Sequence, residues 1–104
     1  MKIIWAPEAE QDLDHIELYI AECNPVAAYD LVFKIIDTTE SILQTAPAAG
    51  RAGRVIGTRE LIISNTPYIV PYRVTERFIE IIRVLHSARK WPESIEELQS
   101  IDSI

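Results

Sequence analysis

The spacing of apolar residues changes from helical to strand-like near the middle of the chain. From Pro7 onward, apolar residues recur at three- and four-residue steps with acids between them: Ala9, Leu13, Ile16 and Ile20. Asn24 and Pro25 then supply an N-cap and a first-turn proline for a second helix. The apolar stripe of that helix comprises Ala28, Leu31, Val32, Ile35, Thr39 and Ile42. Because only a few residues join the two stripes, we predict an antiparallel helical hairpin.

Short apolar runs of strand type lie on both sides of this hairpin. KIIW precedes it and stops at Pro7, whereas ELIIS, YIVPYRV and FIEIIRVLH follow it. Pro71 cannot donate to a sheet ladder, so its strand should have an open or bulged position there. A short acidic helix is predicted from Pro92. The fold class is therefore α+β in the order β-α-α-β-β-β, with an N-terminal strand and a two-helix hairpin on a mostly antiparallel sheet.

Length and composition limit the class of protein. The 104 residues suit one domain, 1–104, with its own core. The single cysteine, Cys23, cannot pair within the chain, and five acids among the first twenty residues exclude a secretory signal. Since no apolar run approaches the length of a membrane span, we expect a cytoplasmic protein that needs neither cofactor nor metal.

Charge is distributed unevenly along the chain. The net charge is −6, but residues 1–50 carry −7, residues 51–91 carry +5, and the segment from Pro92 carries −4. If the basic segment gathers on one face, an anionic partner has a docking surface on an otherwise acidic protein. The alternative is that its arginines only lie along a solvated sheet face.

The last strand-like run, IIRVL, ends in a cluster of functional groups. The cluster comprises Arg83, His86, Arg89, Lys90 and Trp91. The imidazole of His86 can transfer protons near neutral pH, and the neighbouring cations can hold an anionic partner. The structural alternative is that His86 only bonds a backbone carbonyl.

Several segments together resemble the RelE/ParE superfamily of type II toxin–antitoxin toxins. The resemblance covers nearly the whole chain, through APEAEQDLDHIELYIAE, GRVIGTRELIIS, PYIVPYRV and IEIIRVLHSARKWP in the family's order. It implies a growth-inhibiting toxin of a plasmid-stabilisation module, neutralised by a co-expressed antitoxin that wraps over it. RelE-type members cut messenger RNA in the ribosome, whereas ParE-type members poison DNA gyrase.

Three features favour the ParE type. RelE-type members resemble one another in having basic residues on the central strands, whereas the corresponding position here is Ile69 or Val70. They also have a catalytic Tyr or His near the C-terminus, whereas neither residue follows Lys90 here. A chain of net charge −6 would also be repelled by the ribosome. We therefore predict a gyrase-binding surface, and the alternative is an endoribonuclease that uses His86, Arg89 and Arg83. The predicted target-binding residues are Arg83, His86, Arg89, Lys90 and Trp91. A DNA-binding module is less favoured because neither predicted helix of the hairpin is basic.

The basic segment is also predicted to bind the antitoxin. The resemblance implies a flexible, acidic and amphipathic antitoxin tail, which such a segment would attract. The predicted contacts are Arg54, Arg59, Tyr68, Tyr72 and Arg73.

Four expectations concern structure alone. Tyr68 and Tyr72, four residues apart on a strand, should share one face and line the core or a groove. Trp91 should close the C-terminal end of the hairpin, Arg59 should pair with Glu60, and His15 should be solvated. Trp5 should lie in the core.

Overall fold

The computed structural model describes residues 1–88 and 91. Its elements are β1 (Lys2–Trp5), α1 (Pro7–Ala21), α2 (Pro25–Thr45), β2 (Arg51–Ala52), β3 (Arg59–Ile62), β4 (Tyr68–Val74), β5 (Phe78–Ile81) and β6 (Leu85–His86). The predicted order is confirmed, with β2 as an additional two-residue strand, but the predicted strand FIEIIRVLH is divided into β5 and β6. The predicted helix from Pro92 lies outside the described residues.

Local sequence signals set the boundaries of the hairpin. Both helices begin with a proline, and the side-chain oxygen of Asn24 accepts a hydrogen bond from the backbone N–H of Ala27 at 3.1 Å. Glu8 and Glu10 lie in the first turn of α1, where the helix dipole favours negative charge. Within the described residues, neither helix has the length and apolar character needed to cross a bilayer.

The strands form one mixed sheet in the order β1-β5-β4-β3-β2, and β6 pairs with the beginning of β4. The sheet is mostly antiparallel, as predicted, but β1 pairs with β5 in parallel. Pro71 lies opposite the interval between β5 and β6, where its carbonyl accepts from the N–H of Ile82 at 2.9 Å. This interruption is the open position that the missing proline N–H predicts.

Alternation along β4 divides the apolar core between the two faces of the sheet. Val70 and Tyr72 face the helices and pack with Ile35 and Leu43 of α2. Trp5 packs against the same cluster and donates its indole N–H to Glu40 at 2.9 Å. The helices thus cover one face of the sheet and leave the other to shorter segments.

Trp91 lies on the sheet face away from the helices. Its ring is buried with Ile69, Ile82 and Leu85, and Val55 packs against this cluster. The prediction that Trp91 closes the end of the hairpin was therefore wrong. The physical reason is that these sheet residues project from the face that the helices leave uncovered, and the indole buries them there.

Candidate functional site

A groove of about 230 Å³ opens between α1 and the end of the sheet formed by β4 and β6. Four residues of α1 line one side: Asp12, His15, Ile16 and Tyr19. Tyr68 and His86 form the opposite side, and Val84 and Leu85 also contribute. Sequence reasoning identified Tyr68 and His86 but missed the contribution of α1. The three- and four-residue steps between the α1 positions, which place them on one helix face, could have revealed it.

His86 and Tyr68 are directly paired across β6 and β4. Their rings meet edge to face, with centroids 5.9 Å apart and an interplanar angle of 77°. Nδ1 of His86 accepts a hydrogen bond from the backbone N–H of Ala88 at 3.1 Å. His86 therefore does have a backbone partner, but that partner is an N–H and not the expected carbonyl.

Arg83 is engaged by Asp12 of α1. Its Nε and Nη2 donate to the two carboxylate oxygens at 2.7 and 3.0 Å, and the backbone N–H of Val84 donates to the same carboxylate at 2.9 Å. The side chains of Arg83 and Asp12 are only 12% and 11% exposed. Arg83 thus holds α1 to the sheet, and its contact with a target or a phosphate stays a prediction.

Glu60 is buried and engages two arginines, neither of which is Arg59. Nη2 of Arg51 lies 3.2 Å from Oε1 of Glu60, and the backbone N–H of Arg54 donates to Oε2 at 2.9 Å. Arg59 instead donates to the carbonyl of Gly50 at 2.8 Å. The predicted Arg59–Glu60 pair was wrong because adjacent residues of a strand point to opposite faces. The side chains of Arg51 and Arg54 are 53% and 37% exposed, so part of each remains accessible to a partner.

Two other residues predicted to contact the antitoxin have clear structural partners. Nε of Arg73 donates to the buried carboxylate of Glu80 at 2.9 Å, across β4 and β5. The hydroxyl of Tyr72 accepts from the N–H of Gly50 at 2.9 Å and donates to the carbonyl of Pro47 at 2.8 Å. Tyr72 is fully buried, so it forms part of the core, and its contact with an antitoxin stays a prediction.

The remaining predicted target contacts divide into two groups. Arg89 and Lys90 lie outside the described residues. Trp91 is buried, and its indole N–H has no hydrogen-bond partner within the described part of the chain. Among residues 1–88 and 91, no group of three or more side chains of the kinds that ligate metals is assembled.

Partial burial raises the pKa of the Tyr68 phenol above its usual value of 10.0, and the neighbouring Tyr19 acts in the same direction. Tyr68 therefore stays protonated at neutral pH and can donate a hydrogen bond into the groove, but it cannot act as a general base there.

This pKa shift predicts how alkali affects stability. Because the folded chain holds the Tyr68 proton more tightly than the unfolded chain, the contribution is complete below about pH 10 and is lost as the pH rises through the folded pKa. Melting temperatures measured from about pH 9 to 11 should therefore fall more for the wild type than for Tyr68→Phe. Tyr29→Phe, which changes an exposed tyrosine of α2, should follow the wild type. Parallel curves for all three proteins would contradict the prediction.

The described lining of the groove combines apolar surface with hydrogen-bonding groups. Ile16, Val84 and Leu85 supply apolar surface, while Tyr68 and His86 supply hydrogen-bonding groups at its edge. Among the described residues that line it, none is Lys or Arg. Arg89 and Lys90, the cations that follow His86 in the chain, lie outside the described residues.

Comparisons with known proteins agree with this fold. Residues 3–91 match the family model of the ParE toxin of type II toxin–antitoxin system, parDE. The chain is 41% identical over 92 residues to the Y4kP protein of Sinorhizobium fredii, covering 88% of this chain and 94% of the relative. It is 30% identical over 88 residues to toxin RelE2 of Caulobacter vibrioides, covering 85% and 97%. A solved chain from the chromosomal ParDE TA system of P. aeruginosa matches with a TM-score of 0.75 and 32% identity, covering 83% of this chain and 95% of that chain.

Proposed function

Because the chain belongs to the ParE family of type II toxin–antitoxin toxins, we propose that it inhibits DNA gyrase in the cytoplasm and that a cognate antitoxin neutralises it. The alternative is a ribosome-dependent endoribonuclease, and the similarity to toxin RelE2 is the comparison that bears on it.

The family match over residues 3–91 carries the proposal, and the ion pair between Arg83 and Asp12 weakens the alternative. In the nuclease hypothesis, the guanidinium of Arg83 must turn to the scissile phosphate. It is instead engaged by both carboxylate oxygens of Asp12 and is mostly buried. Withdrawing it would leave a buried carboxylate without compensation, which costs about 3–5 kcal/mol. This cost counts against Arg83 as a phosphate ligand and equally against Arg83 as a direct contact with gyrase.

Long-range charge favours gyrase over the ribosome as the target. The ribosome is an intensely negative particle, and a chain of net charge −6 is repelled by it. An enzyme that handles DNA presents cationic surfaces to the phosphates, and an acidic inhibitor is attracted to such surfaces. The acidic half of the chain, residues 1–50, is therefore suited to approach gyrase.

The sheet face away from the helices supports an antitoxin contact. Arg51 and Arg54 expose positive charge around buried Glu60, and Ile62, on the same face of β3, is exposed. This combination fits an acidic, amphipathic segment. The solved relative comes from a ParDE TA system, which supports a ParD-type antitoxin as the partner.

The test is a gyrase supercoiling assay with antitoxin-free protein. We expect inhibition, accumulation of cleaved plasmid linked to gyrase, and recovery when the antitoxin is added. His86→Ala separates the two functions, since it can weaken a binding contact but should abolish cutting by a nuclease that depends on this imidazole. A folded sample that arrests growth, leaves supercoiling unchanged and produces site-specific cuts in messenger RNA would overturn the proposal.

A further inference from the structure

The outer face of α2 exposes a continuous apolar stripe. Val26, Tyr29 and Phe33 are 71%, 63% and 57% exposed, and their spacing of three and four residues places them on one face of the helix. The rings of Tyr29 and Phe33 are stacked at a centroid distance of 6.5 Å and an interplanar angle of 17°. Large exposed side chains that adjoin in this way mark an interaction surface, unlike apolar residues scattered singly.

Acidic residues accompany this stripe. Asp30 follows Val26 by four residues and Asp37 follows Phe33 by four, so both carboxylates lie beside the stripe, and both residues are exposed. The surface therefore combines large apolar anchors with negative charge.

We propose that this stripe, defined as Val26, Tyr29 and Phe33, docks in an apolar cleft with a cationic rim on the target of the toxin. The inference rests on the proposed function and adds a surface to it. Anchors at positions i, i+3 and i+7 are the pattern of a helix that lies in the groove of a partner. Asp30 and Asp37 require basic residues at the rim, and a DNA-handling enzyme supplies such residues for phosphate binding.

Charge distinguishes the target from two other partners that the stripe could bind, a second copy of the chain and the antitoxin. A second copy of the chain would bring two aspartates and one lysine, Lys34, against the same set across a two-fold axis, and the excess of like charge opposes association. An acidic antitoxin tail would be repelled by Asp30 and Asp37, and it finds cations on the opposite side of the sheet at Arg51 and Arg54. The target is the partner whose charge complements the stripe.

The first experiment compares gyrase inhibition by the wild type, by Tyr29→Ser/Phe33→Ser and by Ile56→Ser. Ile56 is fully exposed in the loop before β3, so its variant removes similar apolar surface elsewhere. We expect the double variant to need roughly tenfold more protein for half-inhibition, and Ile56→Ser to match the wild type. Thermal unfolding and antitoxin affinity of both variants should stay at wild-type values. A folded double variant that inhibits gyrase fully would overturn the inference and leave the proposed function intact.

The second experiment tests the cationic rim. Asp30→Lys/Asp37→Lys should weaken inhibition, and the loss should be larger at low than at physiological ionic strength because salt screens the exposed charges. Unchanged inhibition at low salt would contradict the proposal that the cleft of the target has a cationic rim. Growth arrest on expression is measured for every variant as a readout that does not depend on the identity of the target. If the wild type arrests growth without inhibiting gyrase, the proposed function fails. The inference is then tested by growth alone: weaker growth arrest by Tyr29→Ser/Phe33→Ser would support it, and full growth arrest by this variant would overturn it.

Discussion

Asp12→Ala is expected to lower the free energy of unfolding by about 3–5 kcal/mol. The carboxylate accepts three hydrogen bonds, two from Arg83 and one from the backbone N–H of Val84. Without it, a mostly buried guanidinium loses its counter-charge and a buried N–H loses its acceptor. Since a domain has only about 5–15 kcal/mol of stability in total, a fraction of the molecules should be unfolded at growth temperature. Urea denaturation followed by circular dichroism measures the loss.

A matched control and a double variant make this result specific. Asp14→Ala removes an exposed carboxylate from the same helix and should change stability by less than about 0.5 kcal/mol. Asp12→Leu/Arg83→Met removes both charges and should recover part of the loss. The part that it does not recover, about 1–3 kcal/mol, belongs to the unpaired N–H of Val84. A loss below about 1 kcal/mol for Asp12→Ala would show that α1 does not depend on the ion pair.

Tyr72→Ala should destabilise the chain by about 3–5 kcal/mol, because it empties the space of a fully buried ring in the cluster between the helices and the sheet. Tyr72→Phe keeps the ring and removes only the hydroxyl that bridges Gly50 and Pro47. It should cost about 1–3 kcal/mol, since the buried N–H of Gly50 loses its acceptor.

The stability of both Tyr72 variants is measured by thermal unfolding, together with amide hydrogen exchange in the segment after α2. Tyr72→Phe should increase exchange at Gly50, whereas exchange within α1 should stay at the wild-type level. Equal stability of wild type and Tyr72→Phe would show that water satisfies Gly50 as well as the hydroxyl does. That result would remove the role of Tyr72 in tying this segment to the sheet.

The two-helix hairpin was predictable because its signals are local. The N-cap of Asn24, the prolines at the helix starts and the three- and four-residue apolar spacing all act within one or two turns. The open position at Pro71 was predictable for a similar reason, since a missing N–H breaks the ladder wherever the strand is placed.

The candidate site was predictable only in part. Tyr68 and His86 were predicted from their residue type and their positions near strand ends, but Asp12 and Tyr19 were missed. Asp12 did carry a signal, because it lies three residues after Ala9 and four before Ile16, which places a carboxylate at the edge of the buried stripe. A buried carboxylate needs a cation, but the sequence could not show that Arg83, 71 residues away, supplies it.

By itself, the sequence determined the elements, their order and the uneven charge, because backbone propensity, capping and apolar period depend on near neighbours. The tertiary structure decided the parallel pairing of β1 with β5, the burial of Trp91 against the sheet and the partners of Glu60 and Arg83. These contacts depend on which faces meet when the hairpin folds over the sheet. Ion pairs and strand neighbours across long sequence separations are set by that packing, because many alternative partners are equally compatible with the local chain.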